Sequence, residues 1–105
     1  MKEWLIGLVI WATSTTTFAT TVFGNSDCGQ WLHNPTPAQK AWLAGFISGM
    51  NIMYDGAVKQ GSDPLEKVNS VEQLVAWMDN YCRTNPLKTV GAGAQALFIE
   101  LMTRK

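Results

Sequence analysis

The two cysteines of this chain, Cys28 and Cys82, are its residues best suited to chemistry. A cysteine can serve as a nucleophile, a metal ligand, a redox centre or one half of a disulfide. A metal site needs three or four ligands at short spacing, whereas the single histidine, His33, accompanies two distant cysteines. The Cys-x-x-Cys pattern of redox centres is absent from the sequence. An even number of cysteines in a small exported domain is typical of a structural disulfide, which we favour over the other roles.

Other catalytic patterns are scarce. No Ser-His-Asp set can be proposed, because His33 occurs in a proline-containing loop, and no glycine-rich phosphate loop follows a strand pattern. Asp55, Asp63 and Glu66 are close in sequence, but carboxylates in a polar connection are usually solvated. We therefore predict that the protein is not an enzyme and holds no metal or cofactor.

The N-terminal segment has the three-part pattern of a secretory signal peptide. A weakly basic start at Lys2 precedes an apolar run over residues 4–12, and Thr17-Phe18-Ala19 is a suitable cleavage site. We predict a signal peptide over residues 1–19 and one domain over residues 20–105, exported to the periplasm. The apolar run is shorter than the about 20 residues of a membrane-spanning helix, although an uncleaved anchor is the alternative.

The predicted domain has balanced charge. The chain has eight basic and eight acidic residues, and removal of Lys2 and Glu3 with the signal peptide leaves seven of each. Binding to a nucleic-acid backbone requires a basic excess, so nucleic acid is not an expected partner. No membrane association is expected after cleavage.

Apolar residues recur at three- and four-residue steps in three segments, which predicts an all-α domain. The first helix begins after Thr36, with Pro37 at its first position and Gln39 completing a capping box. It ends near Asp55-Gly56. Its predicted inner face contains six residues: Trp42, Gly45, Phe46, Gly49, Met50 and Met53.

Two further helices follow. A capping box of Ser70 and Gln73 opens the second, and Asn85-Pro86 opens the third. The predicted inner residues of the second are Val71, Leu74, Val75, Met78 and Cys82, and those of the third are Val90, Ala94, Leu97, Phe98 and Leu101. Gly91 and Gly93 in the third are interpreted as allowing a close helix crossing. With a short helical turn at Asp63-Pro64, the prediction is a small three-to-four-helix domain with one disulfide.

Three motifs in order resemble the HdeA/HdeB family of small periplasmic proteins. They are Cys28, the stretch WLAGFISGMN over residues 42–51, and YCRTNP over residues 81–86. The resemblance spans nearly all of residues 20–105. It implies a compact helical fold with a Cys28–Cys82 bridge and a chaperone that binds unfolding periplasmic proteins under acid stress. GFISG over residues 45–49, with the disulfide and the Asn-Pro helix start, is also similar to periplasmic immunity proteins that neutralise cell-wall amidases delivered by type VI secretion.

An acid-responsive chaperone, or holdase, is the first functional hypothesis. Asp and Glu titrate near pH 3.9 and 4.3, so below about pH 4 the side-chain charge would change from zero to roughly +8, counting His33. Charge repulsion and lost ion pairs would loosen packing that is closed at neutral pH, within the fold or a homodimer. The predicted client-binding side chains are Trp31, Trp42, Phe46, Met50, Met53 and Trp77, for which a place in the core is the alternative.

The second hypothesis is a protein-binding module for one specific partner, such as an immunity protein. Polar residues 55–70 would then enter the active site of the partner. An accessory protein of a plasmid or secretion system is a further alternative. In each case the expected partners are other proteins.

Overall fold

A computed structural model of the protein describes residues 21–104. Four α-helices occur in this part of the chain: α1 (Cys28–Leu32), α2 (Pro37–Met53), α3 (Val71–Thr84) and α4 (Val90–Thr103). A π-helical turn (Tyr54–Val58) and a 3-10 turn (Pro64–Lys67) lie between α2 and α3. The predicted all-α fold, with three main helices and short additional turns, is confirmed.

The predicted signal peptide and its cleavage site lie outside the described residues. Within residues 21–104, no helix combines the length and the apolar character needed to cross a membrane.

Side-chain caps fix where the helices begin. At α2, Thr36 Oγ1 accepts the Gln39 N–H at 3.1 Å and Gln39 Oε1 accepts the Thr36 N–H at 2.7 Å, so the predicted capping box is confirmed. At α3, Ser70 caps as predicted, but Gln73 accepts from the N–H of Asn69 instead of Ser70.

The predicted start of α4 at Pro86 is wrong, because the helix begins at Val90 with Thr89 as its cap. The segment before α4 pairs with the N-terminal segment in an antiparallel bridge between Asp27 and Thr89. The Cys28 N–H donates to the carbonyl of Lys88 at 2.9 Å, and the Val90 N–H donates to that of Ser26 at 2.8 Å. These bonds hold Thr89 extended, and residues 86–88 form a turn, where the sequence predicted a first helical turn.

The core lies where α1 packs on α3, and where α2 and α3 pack on α4. On α2 the buried residues are Leu43 and Ile47, and the predicted inner face is therefore misplaced. Gly45 and Gly49 face open space, and Met53 is 64% exposed. The apolar residues of α2 occur on all its sides, so their spacing alone does not select the buried side. The inner residues of α4 are all buried as predicted.

The disulfide between Cys28 and Cys82 joins α1 to the last turn of α3, with the two Cα atoms 5.0 Å apart. Both cysteines are fully buried. One turn beyond Cys28, the buried indole of Trp31 donates its N–H to Asp79 Oδ1 at 2.7 Å. The predicted bridge is confirmed, and a tertiary hydrogen bond reinforces it.

Asn34, in the connection between α1 and α2, has a φ of 125°. This region strains any residue with a Cβ, and the following Pro35 favours a negative φ at this position. We expect Asn34→Gly to raise the free energy of unfolding by about 1 kcal/mol, because relief of strain exceeds the added entropy of the unfolded chain. Urea unfolding measures this. Asn69→Gly, at an exposed position with ordinary φ, is the control and should destabilise. An equal decrease in the free energy of unfolding of Asn34→Gly and Asn69→Gly would contradict backbone strain at Asn34.

Candidate protein-binding groove

The six side chains predicted to bind clients lie in four different places. Trp31 is fully buried in the core. Trp42 and Phe46 stack on each other along α2, with ring centroids 4.8 Å apart, and Trp77 stacks on Tyr81 along α3 at 5.4 Å. Met50 and Met53 are the two of the six that meet at one concave, apolar site.

This site, called the methionine groove below, has a volume of about 400 Å³. It lies between the C-terminal end of α2 with its π-helical turn and the C-terminal half of α4. Its lining contains no charged side chain. The lining residues are Met50, Met53, Tyr54, Ala57, Val58, Phe98 and Met102.

The π-helical turn shapes one wall of the groove. Helical winding continues for five residues beyond α2, and the turn closes with the Lys59 N–H donating to the carbonyl of Tyr54 at 2.8 Å. Tyr54 packs edge-to-face on Phe98, with ring centroids 5.6 Å apart. Single π-helical turns inside α-helices occur frequently at functional sites, and this one directly continues α2.

The lip of the groove is exposed although it is apolar. Met53 is 64% exposed, Val58 is 72% exposed and Met102 is 37% exposed, whereas Phe98 on the floor is buried. Apolar surface of this kind, next to polar residues, often marks a site of protein interaction. Methionine side chains are flexible and polarizable, so they adapt to partners of different shape.

A polar pocket of about 290 Å³ adjoins the groove and shares Tyr54 and Met102 with it. Lys67, in the 3-10 turn, donates from Nζ to the carbonyls of Leu101 (2.8 Å) and Arg104 (2.6 Å). This contact caps the end of α4 and holds the segment that carries Met102 against the loop.

The loop between the two turns is held by side chains of α2 and of the π-helical turn. Asp55 Oδ1 accepts the Gly61 N–H at 2.7 Å. Asn51 donates from Nδ2 to Asp63 Oδ1 at 2.7 Å and accepts the Leu65 N–H at 3.1 Å. The loop beside the groove is therefore fixed by several hydrogen bonds.

The sequence contained a signal for the missed groove residues. Tyr54, Ala57 and Val58 extend the three- and four-residue steps of Met50 and Met53 past the predicted stop at Asp55-Gly56. Phe98 and Met102 are four residues apart on α4. No sequence pattern indicates that these two faces meet.

Within residues 21–104, no three His, Cys, Asp or Glu side chains lie close enough together to hold a metal ion. Comparison with models of known protein families, with curated proteins and with solved structures gives no match. The resemblance to the HdeA/HdeB family stays a prediction from the sequence motifs.

Proposed function

We propose that the protein is a small periplasmic chaperone of the HdeA type, which binds unfolding proteins under acid stress. The observation that carries this proposal is the methionine groove, which is apolar, open and bordered by flexible side chains. Flexible methionine-rich surfaces suit several partners, because they can repack around segments of different sequence.

The change in net charge is a stronger candidate for an acid trigger than the loss of ion pairs. Among residues 21–104 there is one ion pair within 4 Å, between Glu100 and Arg104 on the surface of α4. Exposed pairs of this kind contribute about 0–1 kcal/mol, so the loss of ion pairs would loosen the fold little. Protonation of all carboxylates instead leaves roughly +8 of side-chain charge on the domain, and repulsion among these charges favours opening.

The disulfide determines which parts could separate. Cys28 and Cys82 enclose α1, α2 and α3 in one closed loop, whereas α4 lies beyond Cys82. Movement of α4 away from α2 would widen the methionine groove and expose Phe98, while the bridge keeps α1 on α3. The proposed open state therefore retains a connected fold.

In an acid titration, tryptophan fluorescence alone would not show whether the fold has opened, so a second observable is needed. The indole N–H of Trp31 donates to Asp79, and that of Trp77 donates to Glu100 at 3.3 Å. Protonation of these carboxylates would change the surroundings of both indoles even if the fold stayed closed. Molecular mass and client protection must therefore accompany the fluorescence.

Substitution in the groove tests the proposal. We expect Met53→Gln combined with Met102→Gln to raise the concentration needed to protect an acid-denatured client about tenfold, because a loss of about 0.7 kcal/mol of binding free energy from each of the two lip side chains multiplies to that factor. Suppression of light scattering by the oxidised protein below about pH 4 is the measurement.

The matched control is Ile52→Gln combined with Ile99→Gln, which removes equally apolar side chains that are 69% and 57% exposed but do not line the groove. The control should protect the client as well as the unchanged protein does. Equal loss in both double variants would indicate general surface hydrophobicity, and loss in neither would exclude the groove.

One observation favours the alternative of a specific binding module. The loop over residues 61–70 is held in place by Asn51, Asp55 and Lys67, and a preorganised loop loses less conformational entropy on binding. A protein that stays folded, keeps its mass in acid and protects no client would support this alternative over the chaperone.

A further inference from the structure

A second concave site lies apart from the methionine groove and shares no lining residue with it. Its volume is about 450 Å³. One wall is the end of α1 and the connection to α2, over residues 31–35. The opposite wall is the side of α3 that carries Val75, Asp79 and Arg83 at four-residue steps, and Lys40 of α2 completes the lining.

Basic side chains with unused donors converge on this pocket. The Lys40 ammonium group and the His33 ring have no hydrogen-bond partner among residues 21–104, and the Arg83 guanidinium donates to Asn80 Oδ1 at 2.6 Å, which leaves most of its donors unused. Asp79 is the single acidic lining residue, and its Oδ1 is occupied by the indole of Trp31. Neither Lys40 nor Arg83 lies within 4 Å of that carboxylate. The lining is therefore positive overall.

Two local preferences are violated at the same pocket. Lys40 lies about one turn from the N-terminal end of α2, where the helix dipole disfavours a cation, and the first turn of α2 contains no acidic residue. Asn34 holds a positive φ on the other wall. Local conflicts that occur together are expected at functional sites, where a ligand can compensate for them.

We infer that this pocket binds the oxyanion, carboxylate or phosphate, of a small molecule that also carries an apolar group. A guanidinium offers two parallel N–H donors that match either oxyanion, and a lysine adds a point charge. The apolar group would contact Leu32, Pro35 and Val75, which line the same pocket. This site is independent of client binding at the methionine groove.

Nuclear magnetic resonance of the oxidised protein tests the inference, with the indole N–H of Trp31 as the reporter because it donates to Asp79 in the pocket lining. N-acetyl-leucine and phenyl phosphate are the anionic probes, and N-acetyl-leucinamide is the neutral match of the first. We expect saturable shifts of the Trp31 signal with the anions, and none with the amide. Trp42 and Trp77 lie outside the pocket and should not respond. The tighter of the two anions indicates whether carboxylate or phosphate is the preferred group.

Single variants then assign the donors. Lys40→Gln and Arg83→Gln should each weaken anion binding roughly tenfold, since each removes a charge-assisted hydrogen bond. Lys88→Gln removes an exposed lysine elsewhere on the surface and should change nothing. The inference is overturned if neither anion shifts Trp31 at tens of millimolar, if the amide acts equally, or if Lys88→Gln weakens binding as much as Lys40→Gln. If a variant fails to fold, the comparison of N-acetyl-leucine with N-acetyl-leucinamide on the unchanged protein still tests whether the pocket binds an anion.

Discussion

Replacement of Cys28 and Cys82 by alanine is expected to lower the free energy of unfolding by about 4 kcal/mol. The bridge closes a loop of 54 residues, and its removal returns to the unfolded chain the conformational freedom that the closed loop excludes. Domains of this size are stable by only about 5–15 kcal/mol, so the variant would be close to unfolding at physiological temperature. Cys28 and Cys82 are the two cysteines of the chain, so the double alanine variant has no thiol from which another disulfide could form.

Urea unfolding of three samples measures the effect: the oxidised protein, the same protein with reductant, and the double alanine variant. The reduced protein keeps both sulfur atoms in the core, which separates loop closure from the loss of side-chain volume. A difference below about 1 kcal/mol between the oxidised and reduced proteins would contradict the expected loop-closure effect.

Local signals in the sequence were reliable because they depend on a few neighbouring residues. Thr36 and Gln39 satisfy each other across one helical turn, so their spacing was sufficient to place the start of α2. The pairing of Cys28 with Cys82 could be predicted for a different reason, because two cysteines offer a single pairing within the chain. These features required no knowledge of how the helices pack.

Features that depend on distant parts of the chain could not be predicted. The start of α4 is set by Ser26 and Cys28, which are more than sixty residues away from Val90 and compete for the same backbone groups. The buried side of α2 is decided by its contact with α4, since its own apolar residues occur on all sides. The spacing of apolar residues along a single helix does not reveal either contact.

The candidate site was predicted only in part for the same reason. Met50 and Met53 were chosen as apolar residues on one helix, and they do line the groove. Trp31 is predicted as a client-binding residue because of its large aromatic side chain, but its hydrogen bond to Asp79 and its place beside the disulfide put it in the core. Phe98 and Met102 complete the groove through the packing of α4, which only the tertiary structure reveals.

The crossing of α3 and α4 gives the second large expected effect. A Cβ atom at Gly93 would lie 2.6 Å from Met78 Sδ and 2.7 Å from Tyr81 Cδ2, both on α3. Met78 is fully buried, so a shift of its side chain has to displace its neighbours in the packed core. We therefore expect Gly93→Ala to lower the free energy of unfolding by about 2 kcal/mol, because overpacking outweighs the gain in helix propensity of up to about 1 kcal/mol.

Replacement of Gly45 by alanine should instead raise the free energy of unfolding. A Cβ at this position of α2 would meet no atom within 4 Å, so Gly45→Ala keeps the gain in helix propensity and is expected to stabilise by about 0.5–1 kcal/mol. Urea unfolding of the two variants compares one added methyl group in two helices of the same chain. If Gly93→Ala also stabilised the protein, α3 and α4 would have to be further apart than the structure places them. The opposite signs would instead identify Gly93 as the residue that permits the close crossing, which brings Phe98 and Met102 of α4 into place beside α2.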